Sequence, residues 1–230
     1  MRMLRYFLLS STILLSALSV TAQESNGKES EENPISFSFN GIAASADLFG
    51  FANSLLSDYT SGEVAIEANF GNRIYPTAEF GYGWCDVTDE TTAIRYKTSA
   101  PYYRVGVNYN FSTTREKPDP DYSIFAIGRI AWTSSKYDVD TPPIIDPVWG
   151  GSTTLELNDV KGSAMWAEVG VGVRVKIAKN FHMGWSIRYK ARINQKKASN
   201  SQMWYIPGYG INQSTCFGGT YNLIYEIPFK

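Results

Sequence analysis

Few residues in this chain can do chemistry. There is one histidine, His182, in 230 residues, and there are two cysteines, Cys85 and Cys216. Acyl-transfer chemistry needs a nucleophile with a base in reach, and no spacing brings a base to Ser163 or Ser186. A lone histidine excludes a His-rich metal centre, and the two cysteines lack the spacing of a ligand pair. No catalytic residue, metal or cofactor is expected. What remains is a charged set: Glu67, Glu79, Glu168 and Glu226, with Arg104, Arg129, Arg174, Lys176, Arg188, Lys190 and Arg192. Whether these groups meet water or one another depends on the elements that carry them.

Composition narrows those elements. The net charge of −1 lacks the basic excess of a nucleic-acid-binding protein, so no such partner is expected. The 15 tyrosines and 19 glycines favour strands and turns. Tyr6–Val20 is the only long apolar run; Arg2 and Arg5 precede it and the small-residue site Val20-Thr21-Ala22 ends it. The run is short for a membrane span, so residues 1–22 read as a cleaved secretory signal, with a polar, disordered leader over 23–34. One domain is expected over residues 35–230.

That domain alternates with period two. In "AEVGVGVRVKI", Ala167, Val169, Val171, Val173, Val175 and Ile177 share one face; Glu168, Gly170, Gly172, Arg174 and Lys176 share the other. After "AKN", the pattern resumes from Phe181 to Asn194. The same reading places eight strands, near 35–48, 62–70, 74–86, 99–111, 122–135, 163–177, 181–194 and 215–229. A bulge is expected near Asn40-Gly41, where the phase slips. "GNR" and "AKN" are tight turns, whereas the connections near 49–61, 87–98, 136–162 and 195–214 are long. "SLLSDYTSGE" (Ser54 to Glu63) leaves room for a short helical turn.

An even number of strands, with short turns at one end and long loops at the other, describes an all-β, eight-stranded antiparallel up-and-down transmembrane β-barrel. A soluble lipocalin-like barrel would put the apolar face inside and solvate the charges. Two features oppose it. The polar face is rich in glycine (81, 83, 106, 170, 172, 184), as a narrow lumen packed with large side chains requires. The apolar face bands its aromatics: Phe70, Tyr75, Tyr109, Phe111, Tyr122, Phe181 and Phe229 at the short-turn end, and Tyr82, Trp84, Trp132, Tyr189 and Phe217 at the other. In lipid every strand edge must be paired, so the strand "YNLIYEIPFK" is expected to zip to the first.

The secretory signal, eight strands and aromatic-ended last strand resemble the small eight-stranded outer-membrane barrels of Gram-negative bacteria, the OmpA-like membrane-domain class. "WYIPGYG" (Trp204 to Gly210), "AEVGVGVRV" and "YNLIYEIPFK" are more similar to a domain-of-unknown-function family of such barrels. The resemblance implies an outer-membrane location, lipid as surroundings, and Phe229 as the signal read by the barrel-assembly machinery. In this chain Lys230 follows that aromatic.

In such a barrel Glu67, Glu79, Arg104, Arg129, Glu168, Arg174, Arg188, Lys190 and Glu226 face the lumen. They would line a narrow channel or small-solute pore, or else pair and plug it. Eight strands leave room for side chains and little more, which favours the plug. The bases near 188–192 could attract anions. His182, just after a short turn, belongs at the periplasmic end, the wrong end for a lipid-modifying enzyme of the outer leaflet. Cys85 and Cys216 face inward on strands that are not neighbours, too far apart for a disulfide. The loop over 136–162, containing "TPPIIDPVWGGSTTLEL", is the candidate surface for an extracellular ligand or a cover for the barrel mouth. A structural or surface-recognition monomer is the expected function.

Overall fold

The computed structural model describes residues 38–53, 59–112, 122–145, 148, 150–196, 198 and 201–229. The expected signal and leader, and residues 35–37 of the first expected strand, lie outside these. Eight long strands form the barrel: β1 (Phe39–Asp47), β2 (Tyr59–Phe70), β3 (Ile74–Thr88), β4 (Arg95–Asn110), β5 (Tyr122–Asp140), β8 (Glu156–Lys176), β9 (Phe181–Lys196) and β12 (Thr215–Pro228). Each pairs antiparallel with its neighbour in sequence. β12 closes the ring onto β1, with Ile42 opposite Ile227 and Ala46 opposite Leu223. The short elements are a helix, α1 (Leu48–Asn53), and two ribbons, β6 (Ile144–Ile145) with β7 (Ser152–Thr153) and β10 (Tyr205–Ile206) with β11 (Gly210–Ile211).

The backbone explains the connections. Gly71 and Asn72 both adopt left-handed φ angles of 59° and 54°, which turns β2 tightly into β3. Ile177 donates to the Phe181 carbonyl at 2.9 Å, closing the β8–β9 turn. The expected bulge falls between Phe39 and Gly41, where the β1–β2 register shifts.

Alternation sorts the two faces as the sequence predicts. Val171 is 54% exposed on the outside while Glu168 is 1% exposed within. The outward apolar belt has matched edges on neighbouring strands. On β5 it runs from Tyr122 to Trp132; on β8 it runs from Val175 to Met165; Tyr122 pairs with Val175 and Trp132 with Met165. Beyond that upper edge the outward residues become Ser134, Lys136 and Asp138 on β5, and Ser163, Lys161 and Asp159 on β8.

Several expectations need correction. β5 and β8 are 19 and 21 residues long, so most of the expected loop at 136–162 is a strand hairpin rising past the belt, and only 141–155 connects it. β3 and β4 likewise extend into 87–98. The helical turn forms at Leu48–Asn53, ahead of the expected Ser54–Glu63; residues 54–58 lie outside the described set and Tyr59–Glu63 belongs to β2. Tyr75 does not join the outer girdle. It shares the odd-numbered face of β3 with Glu79, so it points inward, 6% exposed, edge-on to Phe125. Within the expected 195–214 connection, Met203, Tyr205, Ile206 and Tyr209 fold inward into the hydrophobic core.

Candidate functional site

The lumen is occupied in three layers. Nearest the short turns, Arg174 donates to Glu67, with its guanidinium over the rings of Phe125 and Tyr75 at 4.9 and 5.4 Å. Asn108 donates to the same Glu67 at 3.2 Å. Glu226 accepts from Asn69 at 3.1 Å and lies 3.9 Å from His182. His182 therefore stands inward at the turn end, as expected. Ser186, four residues along the same strand, is engaged by Thr220 at 2.8 Å and by Arg188 at 3.3 Å.

The middle layer is one connected set of ions. Glu79 is its hub, receiving Arg104, Arg129 and Arg188 at 3.0 Å each. Strand register explains the convergence: Glu79 lies opposite Arg104 across β3–β4, Gly106 opposite Arg129 across β4–β5, and Arg129 opposite Glu168 across β5–β8. Glu168 accepts from Trp166 at 2.7 Å and from Arg188 at 3.3 Å, with Arg104 Nε 3.0 Å away, off the line of a hydrogen bond. Arg129 also donates to Asn108 at 2.7 Å, tying this layer to the one below. Buried charges that find several partners are held, whereas one stripped of its partner costs several kcal/mol.

Glu63 completes this layer, and the expected site omitted it. It pairs with Arg104, lies 3.6 Å from Arg188 and accepts from the Tyr102 hydroxyl at 3.0 Å. Alternation marks it, since Glu63, Ala65 and Glu67 share a face of β2.

The outer layer comes from a loop. Met203, Tyr205, Ile206 and Tyr209 are buried in the barrel mouth among Cys85, Tyr96, Tyr137 and Trp166. Trp204 stacks on Tyr96 at 5.4 Å, and Tyr209 meets Trp166 edge-on at 5.6 Å. The layer below pins this inserted segment by its backbone. Arg104 donates to the Gly208 carbonyl at 3.0 Å; Lys190 donates to Gly208 and Tyr209 at 2.8 and 3.3 Å. Tyr102 fits between two glycines. A Cβ on Gly81, directly opposite it in register, would lie 2.1 Å from the ring, and one on Gly208, whose φ is +78°, would lie 2.4 Å from it. Arg192 bonds the Asn212 side chain at the segment's far end. Lys176 stands at the opposite, turn end of β8.

All nine expected lumen charges therefore face inward, and eight of them join these contacts as donors or acceptors to carboxylates, arginines or their amide partners; the ninth, Lys190, serves the inserted segment. Cys85 and Cys216 both face this outer layer and form no disulfide; Cys216 donates to the Tyr209 carbonyl at 3.3 Å. Small voids lie among the described residues of the lumen. One of about 50 Å³ lies among Glu67, Arg129, Arg174 and Asn222; another of about 90 Å³ lies beside the inserted segment, walled by Ser61, Lys190 and Thr220.

A closed eight-stranded barrel, apolar outside and ionic inside, is the class that this geometry defines. The family model described as Domain of unknown function (DUF6048) matches residues 3–230, and the chain belongs to that family. No curated protein matches it. Among solved structures, the chain is similar to a major outer membrane protein from Thermus thermophilus, at 10% identity and a TM-score of 0.49, over 82% of this chain and 98% of that one. It is also similar to Ail, the attachment invasion locus protein of Yersinia pestis, at 11% identity and a TM-score of 0.39, over 82% and 95% of the two chains. Ail in complex with the heparin analogue sucrose octasulfate gives 10% identity and a TM-score of 0.38, over 82% and 96%.

Proposed function

We propose that this protein is a non-enzymatic outer-membrane barrel, closed to solute flow, that acts through its outer face as a structural or surface-recognition element. The matched edges of the apolar belt support the membrane half of this reading. Tyr122 to Trp132 is the length of tilted strand, about 9–11 residues, that crosses hydrocarbon. In this reading residues 1–22 direct export, so that the mature chain begins at Gln23, and Phe229, half exposed beside Phe39 at the β1–β12 seam, is read by the barrel-assembly machinery.

One observation carries the closed half: the lumen is filled twice, by ion pairs from the strands and by aromatic side chains from an inserted loop. Among the described residues, His182 has Glu226 beside it and no nucleophile in contact, so the geometry lends no support to a catalytic role. The recognition half rests on the ribbon β6–β7, where Ile144, Ile145, Val148 and Leu155 are exposed above the belt. Planar-bilayer recording tests closure. Purified protein should insert without persistent conductance, and stable steps from the wild type would overturn it. Folding into vesicles tests the belt. Val171→Arg should lose about 2–4 kcal/mol and Val171→Leu should fold normally; equal yields from both would refute the lipid face.

A further inference from the structure

The outer wall changes character just above the apolar belt. The belt's upper edge is drawn by Trp132 on β5, Met165 on β8 and Ile193 on β9, all exposed. Within four residues of that edge come Lys136, Lys161 and Lys196, one from each of three adjacent strands and exposed as well. Register gathers them. Lys136 lies directly opposite Lys161 across β5–β8, and Lys196 lies opposite Ser163, diagonal to Lys161. Directly opposed residues on one face stand about 5 Å apart and diagonal ones about 7–8 Å. A bulge delivers the third lysine. Along β9 the odd residues face outward as far as Tyr189, but the ladder passes from Arg192 to Asn194 and skips Ile193. Beyond that shift the even residues share the outward face of Met165 and Ser163, so Lys196 joins Lys161 instead of entering the barrel mouth.

Like charges opposed in a ladder are destabilising, and one carboxylate answers these three among the described residues. Asp159 takes Lys136 at 2.9 Å, in a pair exposed on both sides. Asp138 accepts the Asp159 amide and lies opposite Lys97, and Asp140 faces Glu156 further up the hairpin. The β9 side supplies no acid, since no Asp or Glu occurs between Glu168 and Glu226. No ion pair among the described residues engages Lys161 or Lys196. Lipid headgroups begin where an apolar belt ends, and lysines at that height extend toward anionic ones. We propose that this wall of β5, β8 and β9 docks an anionic lipid of the outer leaflet. Its headgroup phosphate lies between Lys161 and Lys196, and its acyl chains run down over Ile193, Met165 and Val169. The inference rests on the lipid-facing belt proposed above.

The test is tryptophan quenching in phosphatidylcholine vesicles that hold the full folded chain. Brominated phosphatidylglycerol or brominated phosphatidylcholine is added, and the ratio of the two quenching curves gives the preference for the anionic lipid beside the belt. Wild type should prefer phosphatidylglycerol, and Lys161→Met combined with Lys196→Met should lower that preference by about fivefold or more. Lys97→Met should leave it unchanged, because Lys97 lies between Asp86 and Asp138 in register. Asp159→Asn, which releases Lys136 without removing a lysine, should raise it. Inorganic phosphate at fixed ionic strength should not displace the lipid, and displacement by it would overturn a lipid as the occupant. No preference in the wild type, the same preference in the double variant, or an equal loss from Lys97→Met overturns the site alone. Absence of quenching by either brominated lipid overturns the lipid-facing belt, and the site with it.

Discussion

The middle and outer layers of the lumen fill the same tube by opposite means. The middle layer is built by strands: each charge sits at a register position fixed by its neighbours, and Glu79 gathers three arginines because β4, β5 and β9 each deliver one to its level. The outer layer is built by a loop, whose side chains reach the mouth only after the chain has left β9 and before it enters β12. Removing a charge from the first damages the wall itself. Disturbing the second releases a segment whose ends remain tethered to an intact wall. The two should therefore fail differently, one by global unfolding and the other by local opening.

The sharpest way to break this contrast is Glu79→Gln. Three guanidiniums would lose the carboxylate they share. The expected cost is about 3–5 kcal/mol of barrel stability, the range for a buried ion pair deprived of one partner. Urea unfolding of protein refolded into vesicles measures it. A loss below about 1 kcal/mol would mean that the lumen is wetter than this packing implies.

Gly208→Ala probes the other layer. Gly208 needs its left-handed backbone, and a Cβ there would strike the Tyr102 ring. The strain should amount to about 1–3 kcal/mol, borne by the inserted segment. Protease should then cut near 203–211 much faster than in wild type, while the urea midpoint of the barrel moves little. A midpoint falling as far as for Glu79→Gln would show that loop and wall unfold as one unit.

The same division decides what the sequence discloses. Strands announce themselves by alternation, and alternation also assigns each residue a face, so Glu79, Arg104, Arg129, Glu168 and Arg188 are readable as lumen charges before any fold is known. Glu63 was equally readable, lying in phase with Glu67. Tyr75 was readable too, being in phase with Glu79 and not with Pro76. The loop has no such period. "WYIPGYG" shows its aromatics and its two glycines, but nothing local states that Ile206 will be buried while Ile144 and Ile145, in an equally apolar connection, stay exposed. That outcome depends on the width of the mouth and on Tyr102, Gly81 and Trp166, which come from three other strands. The strand extensions above the belt were hidden for a different reason. Their outward residues turn polar, so the apolar stripe that marks a strand ends at Trp132 and Met165 although the ladder continues.

The smallest expected effect sharpens the contrast from outside the lumen. Asp86 and Arg95 pair across β3 and β4 above the belt, in a two-pronged contact at 2.7 and 2.8 Å. The geometry matches that of the buried pairs; the surroundings do not, since the two side chains are 44% and 50% exposed. Arg95's hydrogen bonds hold the Asp86 carboxyl below its usual range. A depressed carboxyl contributes stability above its unfolded pKa, about 3.9, and loses it as pH falls through the lower folded value. Any contribution is therefore complete at pH 7 and disappears only in acid. Water and salt screen such a pair almost entirely, so Asp86→Asn should leave the urea midpoint at pH 7 unchanged within error, at low salt and high. A clear loss at pH 7 that vanishes below about pH 3 would mean that the ribbon above the belt folds cooperatively with the lumen, and that exposure alone does not separate the two environments.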